Sequence, residues 1–440
     1  MYKILIFAIL ILQSINSFSQ SFWKIGNENG DEILLTLVVN NEKNTFEAFT
    51  RKDALKDLAG IFTYTLAKAA GKLKYAEIVF IQGQTQRKND SLLLKGIFNY
   101  FDRQYQFSAS ISGIHFKGKY IDNRNRSHLL TGIKVPDNKP LKDYPTIINA
   151  IFSLTEKTLF NSLLLKSDEW LNFKKKVNEL KPKISDDYEL VAIFYWLGKK
   201  LPFSQYEISK IRPNNEHQTR RNIVNLREIK SNLAVFDANS LPENQKEMDS
   251  IAAIITKKGY TSLIIDLRRN NRLGLNAAGV LANYLSGKSI AAGAYLTRKW
   301  FDRNTIIPKS QDYKKLFSGF TEIVYKSGEF YKEQGSYLNI VPHEKAFIGK
   351  VYVLVDSRTS KVAEVLTFVL KNEKIATIVG QKTAGAFEFS EHVTINSEYE
   401  LNLPVADFYT GEGKSLNKIG IEPNVTVSGE DAMKYVLKLF

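Results

Sequence analysis

The sequence predicts an α/β C-terminal half, preceded by an antiparallel β-rich domain and a small helical segment. Three observations carry this. After residue 223, short apolar strands alternate with segments of helical period, the pattern of parallel pairing through crossovers. Before residue 135, runs of Val, Ile, Leu, Phe and Tyr are separated by Gly, Asn and Asp clusters, which suggests a sandwich or small barrel. Between residues 141 and 200 the apolar period is helical. The resulting division is 1–19 leader, 20–140 β-rich domain, 141–211 helical segment, 212–222 polar linker and 223–440 α/β core.

The leader comes first. Lys3 precedes an apolar run, Ile4 to Ile11, and Ser17 and Ser19 are small residues before a cleavage point, with Gln20 as the expected mature N-terminus. This is the pattern of a secretory signal peptide. The expected location is therefore periplasmic or extracellular. With no cysteine the chain is not a lipoprotein and has neither disulfides nor thiol chemistry. No later stretch is apolar over the ~20 residues that span a bilayer, so no transmembrane segment is expected.

In the β-rich domain the expected strands are Glu32–Val39, Glu77–Ile81, Ser91–Phe98, Tyr105–Ile111 and Gly113–Tyr120, with one helix around Leu55–Ala69. No chemical motif falls here. In the helical segment, Ser167 and Ser185 each precede acidic residues and are expected N-caps. The second helix presents Leu190, Ile193, Phe194 and Leu197 on one face and ends before Pro202. In the core, Leu263–Leu267, Val351–Val355 and Ile375–Gly380 read as strands, and Ala277–Leu285 and Val362–Leu370 as helices.

The composition is 44% hydrophobic and 24% charged, which fits a globular chain and excludes a disordered one. The net charge of +15 reads first as a solvated basic surface, and otherwise favours acidic partners such as an anionic membrane surface or peptide C-termini. No zinc-finger, RNA-binding or phosphate-loop pattern is present, so nucleic acid is not an expected partner. His115, His128, His217, His343 and His392 are scattered, and no pair has metal-ligand spacing; no metal or other cofactor is expected.

Several segments of the second half carry a family resemblance. Leu263-Ile-Ile-Asp-Leu-Arg-Arg-Asn270 resembles a strand-loop motif, and Val351 to Glu364 a strand, turn and nucleophile helix. Ala376 to Gly385 resembles the strand and loop that follow, and Leu403 to Val427, with Gly420-Ile-Glu-Pro423, a closing segment. Together these resemble peptidase family S41, the tail-specific or C-terminal-processing serine peptidases. Leu201-Pro-Phe-Ser-Gln-Tyr206 is similar to a segment of the tricorn-like branch. The resemblance implies a crotonase-like core and a serine-type peptidase site, and nothing Gly-rich suggests an inserted PDZ domain.

Serine peptidase chemistry needs a hydroxyl, a base and oxyanion donors. The resemblance puts the serine three residues before Glu364, where this chain has Lys361. It puts the base of the processing branch at Ala386, and that of the tricorn-like branch at Gln205, after Ser204. The acid falls at Asn417. The oxyanion loop reads Asn271-Arg272-Leu273-Gly274, where side chains hinder close approach of backbone N–H groups. Lysine cannot attack as serine does, and glutamine cannot take a proton near neutral pH. The first expectation is thus a catalytically impaired homologue that binds peptides or protein C-termini through Arg268, Asn270, Lys361, Thr383 and Gly385. The alternative is an active endopeptidase rearranged around Ser360, with Lys382 or His392 as base. Ser360 or Thr359 is expected to cap the helix start with its side chain, and a cap by Ser360 would remove that alternative.

Overall fold

A computed structural model describes residues 18–71, 74–101, 103–211, 226–237, 242, 244–319 and 333–440. The expected linker, 212–222, lies outside the described residues, as does the expected leader apart from Phe18 and Ser19. Those two residues already belong to the first strand.

The first eight strands form one closed up-and-down barrel. They are β1 (Phe18–Asn27), β2 (Glu32–Asn40), β3 (Thr45–Phe49), β4 (Val79–Lys88), β5 (Ser91–Tyr100), β6 (Arg103–Ser112), β7 (His115–Ile121) and β8 (Ser127–Val135). The antiparallel pairing of β1 with β8, from Phe22 opposite Val135 to Asn27 opposite Leu130, closes it. Inward residues such as Trp23, Ile25, Ile81, Phe98, Phe107 and Phe116 fill it. Tight curvature depends on glycine where β4 meets β5. Gly83 sits opposite Gly96, and a Cβ on Gly83 would lie 2.1 Å from the Lys95 carbonyl oxygen. The expected single helix near Leu55–Ala69 is two helices, Ala54–Ala59 and Ile61–Ala69, broken at Gly60 with φ +79°.

The helical segment contains Tyr144–Thr158, Asp168–Leu180 and Asp187–Gly198. Ser167 caps the second helix by accepting from the Trp170 N–H, as expected. The third is capped one residue later than expected: Asp186, not Ser185, accepts from the Glu189 N–H. Ser185 instead donates through its N–H to the Glu189 carboxylate, completing a reciprocal cap. The apolar faces of these helices merge with the barrel interior and with Tyr399, Leu401 and Leu403 from the last long strand.

The remaining strands form two further sheets. One has the order β10 (Leu226–Lys230), β11 (Leu233–Asp237), β12 (Ser262–Asp266), β16 (Lys350–Val355), β17 (Thr377–Gly380), β20 (Val425–Thr426). Its pairs are parallel except β10 with β11. The other has the order β14 (Ser318–Gly319), β15 (Gly335–Ile340), β13 (Ile290–Thr297), β19 (Tyr399–Thr410), β18 (Phe389–Thr394), with β9 (Glu207–Lys210) also on β19. Helices Leu275–Leu285 and Val362–Asn372 share one core with strands of both sheets. The strand-then-helix order places the start of Val362–Asn372 just beyond the carboxyl end of β16, where α/β sheets put their sites.

Candidate active-site region

The turn between β16 and the Val362–Asn372 helix is fixed by backbone bonds to two other loops. The Ser360 N–H donates to the Asn270 carbonyl, the Ala384 N–H to the Thr359 carbonyl, and the Lys361 N–H to the Ala386 carbonyl, each at 3.0 Å. Glu364, fully buried in the first helical turn, accepts from the Gly385 and Ala386 N–H groups, both at 2.7 Å, and from the Thr383 hydroxyl. Burial pushes the Glu364 carboxyl up, while these donors favour its charged form. The 383–386 loop is therefore held by one carboxylate.

Lys361 occupies the N-cap position with φ 62° and ψ −134° and makes no side-chain cap. Its side chain is half-buried, and burial pushes the ammonium down, with Glu207 acting in the opposite sense. Among the described residues Lys361 forms no salt bridge. Neither Ser360 nor Thr359 caps the helix, contrary to the expected cap. The positive φ at Lys361 starts the helix one step later, and the Thr359 hydroxyl is used on the Leu267 carbonyl at 2.8 Å.

Gln205 reaches the same place from the helical segment. Its amide donates to the Glu388 carbonyl at 2.6 Å and, longer, to the Ala386 carbonyl at 3.4 Å, and its own oxygen accepts from the Ser390 hydroxyl. The Ala386 carbonyl thus links Lys361 and Gln205, the residues at the expected nucleophile and base positions. Asn417 and Ser204 meet at Glu388. The Asn417 amide donates to Oε1 at 2.6 Å, the Ser204 N–H to Oε2 at 2.7 Å, and the Ser204 hydroxyl also donates to Oε2. Glu388 is buried, and burial beside Asp407 drives its carboxyl well above the usual range. Asp407 is pushed up to about 7 by burial, with Ser415 donating to it. Lys418 lies near Glu388, and burial pushes its ammonium down. Glu388 was missed in the sequence; the only signal there is an acid inside the apolar run Ala386-Phe-Glu-Phe389.

Several expected site residues are engaged elsewhere. Thr383, Gly385 and Asn270 brace the loops: the first two serve Glu364, and the buried Asn270 carboxamide oxygen accepts from the Arg272 and Leu273 N–H groups at 3.0 Å each. Two N–H donors of the expected oxyanion loop are thereby engaged within the protein. Arg268 is clamped on Asp266 and donates to the Gly429 carbonyl at 2.7 Å. Lys382 pairs with Glu422 at 2.7 Å and the exposed His392 with Glu400 at 3.1 Å, and no hydrogen bond joins either to Ser360. Among the described residues no cluster of acids and histidines could hold a metal ion, and no helix is long and apolar enough to cross a membrane.

Residues 232–427 match the model of peptidase family S41. A chloroplastic C-terminal processing peptidase of Tetradesmus obliquus is 24% identical over 200 residues, 45% of this chain and 34% of that one. A carboxyl-terminal-processing protease of a Picosynechococcus species is 24% identical over 195 residues, 44% of this chain and 38% of that one. The chain thus spans about a third of the length of these curated relatives. Among solved structures, a putative peptidase of Parabacteroides merdae aligns with 68% of this chain and 96% of that one, at 15% identity and a TM-score of 0.44. The tricorn protease aligns with 97% of this chain and 58% of its own, at 8% identity and a TM-score of 0.43. The similarity to peptidase family S41 thus lies in the C-terminal half of the chain, over residues 232–427.

Proposed function

We propose that this is an exported, non-catalytic member of the S41 family that binds peptides by their C-terminal carboxylate, with Lys361 as the counter-ion. The observation that carries the reading is Lys361 itself. A half-buried ammonium stands at the serine position, locked by its backbone and without an ion-pair partner among the described residues. A desolvated, unpaired cation is costly in the free protein and gains most from an incoming anion. Gln205 and Asn417 at the base and acid positions cannot exchange protons near neutral pH, which supports the absence of hydrolysis. Export is supported by the leader pattern of residues 1–19.

The test is calorimetric titration of a random hexapeptide pool with free C-termini against the same pool amidated. The free pool should bind tighter by about 1.5–3 kcal/mol, roughly ten- to hundred-fold in Kd. Lys361→Ala and Lys361→Met should erase that difference. Only the charged amine pairs with a carboxylate, and burial holds this one below the ordinary lysine value. Affinity should therefore fall on the alkaline side before an ordinary lysine would titrate. A free-acid preference that survives Lys361→Ala would overturn the reading. So would cleavage of an unstructured protein that disappears in Ser360→Ala, which would establish the rearranged peptidase.

A further inference from the structure

One end of the barrel is an open, polar cavity of about 430 Å³, walled by the β1–β2, β5–β6 and β7–β8 turns and roofed by the Asp187–Gly198 helix and β9. Its volume lies within the ~300–1,000 Å³ range of small-ligand sites. We infer that this barrel-mouth cavity is a binding site for a neutral saccharide of one or two sugar rings.

The lining argues for that chemistry by elimination. Its acids, Asp31, Asp122 and Asp187, are matched by Arg103, Arg126 and Lys210, so a wall on a chain of net charge +15 is locally balanced. These charges are also committed to protein partners. Arg126 holds Asp122 at 2.7 Å, and His128 bonds Asp122 and Glu28 at 3.2 and 2.8 Å. Lys210 pairs with Asp187 at 3.3 Å, Asp31 accepts from Asn27 at 3.1 Å, and Arg103 has an interaction of its own. A charged ligand would find no unmatched opposite charge. An apolar one would find little beyond Phe98, Val191 and Ile208.

Uncommitted groups remain in the wall. Tyr100, Tyr105 and Tyr120 line the cavity, and their hydroxyls have no hydrogen-bond partner among the described residues. Each is a donor and an acceptor, as a sugar hydroxyl is. Their rings are held rigid: Tyr120 stacks on Phe98 and on His128, each at 4.8 Å, and Tyr100 meets Tyr188 edge-on at 5.6 Å. Rigidly held phenol hydroxyls, each donor and acceptor, suit the hydroxyl edges of a pyranose. Burial pushes the Tyr100 hydroxyl up to about 12, so it stays protonated and able to donate at neutral pH.

The test is saturation-transfer NMR on the full chain with maltose, cellobiose and N,N′-diacetylchitobiose at millimolar concentration. Inorganic phosphate (by 31P line broadening) and choline serve as charged probes. At least one disaccharide should show saturable transfer. Tyr100→Phe, Tyr105→Phe and Tyr120→Phe keep the rings, and each should weaken binding by about three- to ten-fold. Val191→Trp should block the cavity from its roof without touching a hydroxyl. No transfer from any disaccharide would overturn the inference. It would also fail if binding were unchanged in both the triple Phe variant and Val191→Trp, or if phosphate or choline bound while no sugar did.

Discussion

Lys361 stands where the backbone suits glycine, and that gives a sharp test of why it is there. At φ 62° and ψ −134° a Cβ is strained by about 1–3 kcal/mol. The side chain also puts a cation on the first turn of a helix, unfavourable by about 0.3–1 kcal/mol. Lys361→Gly removes both costs. Against this stand the extra unfolded-state freedom of glycine, about 0.4–1 kcal/mol, and lost packing of the half-buried stem, about 0.8 kcal/mol per methylene buried. With about two of the four methylenes buried, the net expectation is a small gain, under about 1 kcal/mol.

The cleaner observable is the comparison with Lys361→Ala, which also removes the ammonium but keeps the Cβ. Strain minus glycine entropy makes the glycine variant more stable than the alanine variant by about 1 kcal/mol. Urea midpoints followed by circular dichroism read this directly. Both variants should lose the free-acid preference in peptide binding. A stability gain coupled to a binding loss would mark Lys361 as retained for function at the expense of the fold. If the glycine variant is equal to or less stable than the alanine variant, the strain does not exist and this reasoning fails.

Two further outcomes follow from buried carboxyls. Glu364→Gln turns an acceptor into an amide donor facing the Ala386 or Gly385 N–H, and should cost about 2–3 kcal/mol in urea unfolding; a change under about 0.5 kcal/mol would mean the loop is not held by that carboxylate. Asp407 is raised from 3.8 to about 7 in the fold, so its contribution is full below its unfolded value and is lost as pH rises through about 7. The protein should therefore unfold more readily at pH 8 than at pH 5, and Asp407→Asn should flatten that slope; an unchanged slope would refute the assignment.

The sequence exposes most of the α/β half because its signals are local. Apolar runs such as Leu263–Leu267 and Val351–Val355 are strands in the structure within a residue of their expected ends. The position of Lys361 follows from counting back from Glu364. Barrel closure is not local: β1 and β8 pair across the whole domain, and β8, with exposed Leu129 and Ile133, lacks the alternation that marks a half-buried strand. The site is harder still to read. Glu388 matters because Ser204, 184 residues away, and Asn417, 29 residues away, both converge on it. Thr383 and Gly385 resemble ligand contacts in sequence, yet their donors are spent on Glu364.

That convergence explains why Gln205 and Asn417 are compatible with one another. A carboxylate at position 417 would face Glu388 where the Asn417 amide now donates at 2.6 Å, setting two buried acids against each other. An amide there is the partner Glu388 requires. The Gln205 amide likewise serves the 386 and 388 carbonyls together, where a single ring N–H would leave one of them unmatched. The network is thus built around Glu388 and accommodates Gln205 and Asn417 as a set. Asn417→Asp, nearly isosteric, should cost about 2–4 kcal/mol at pH 8 and less at pH 5, where the pair can share a proton. Adding Glu388→Gln should recover most of the loss, because the new amide can donate to the new carboxylate. Additive single-variant losses with no rescue would show that Glu388 and Asn417 are not coupled, and that position 417 accepts an acid independently of Glu388.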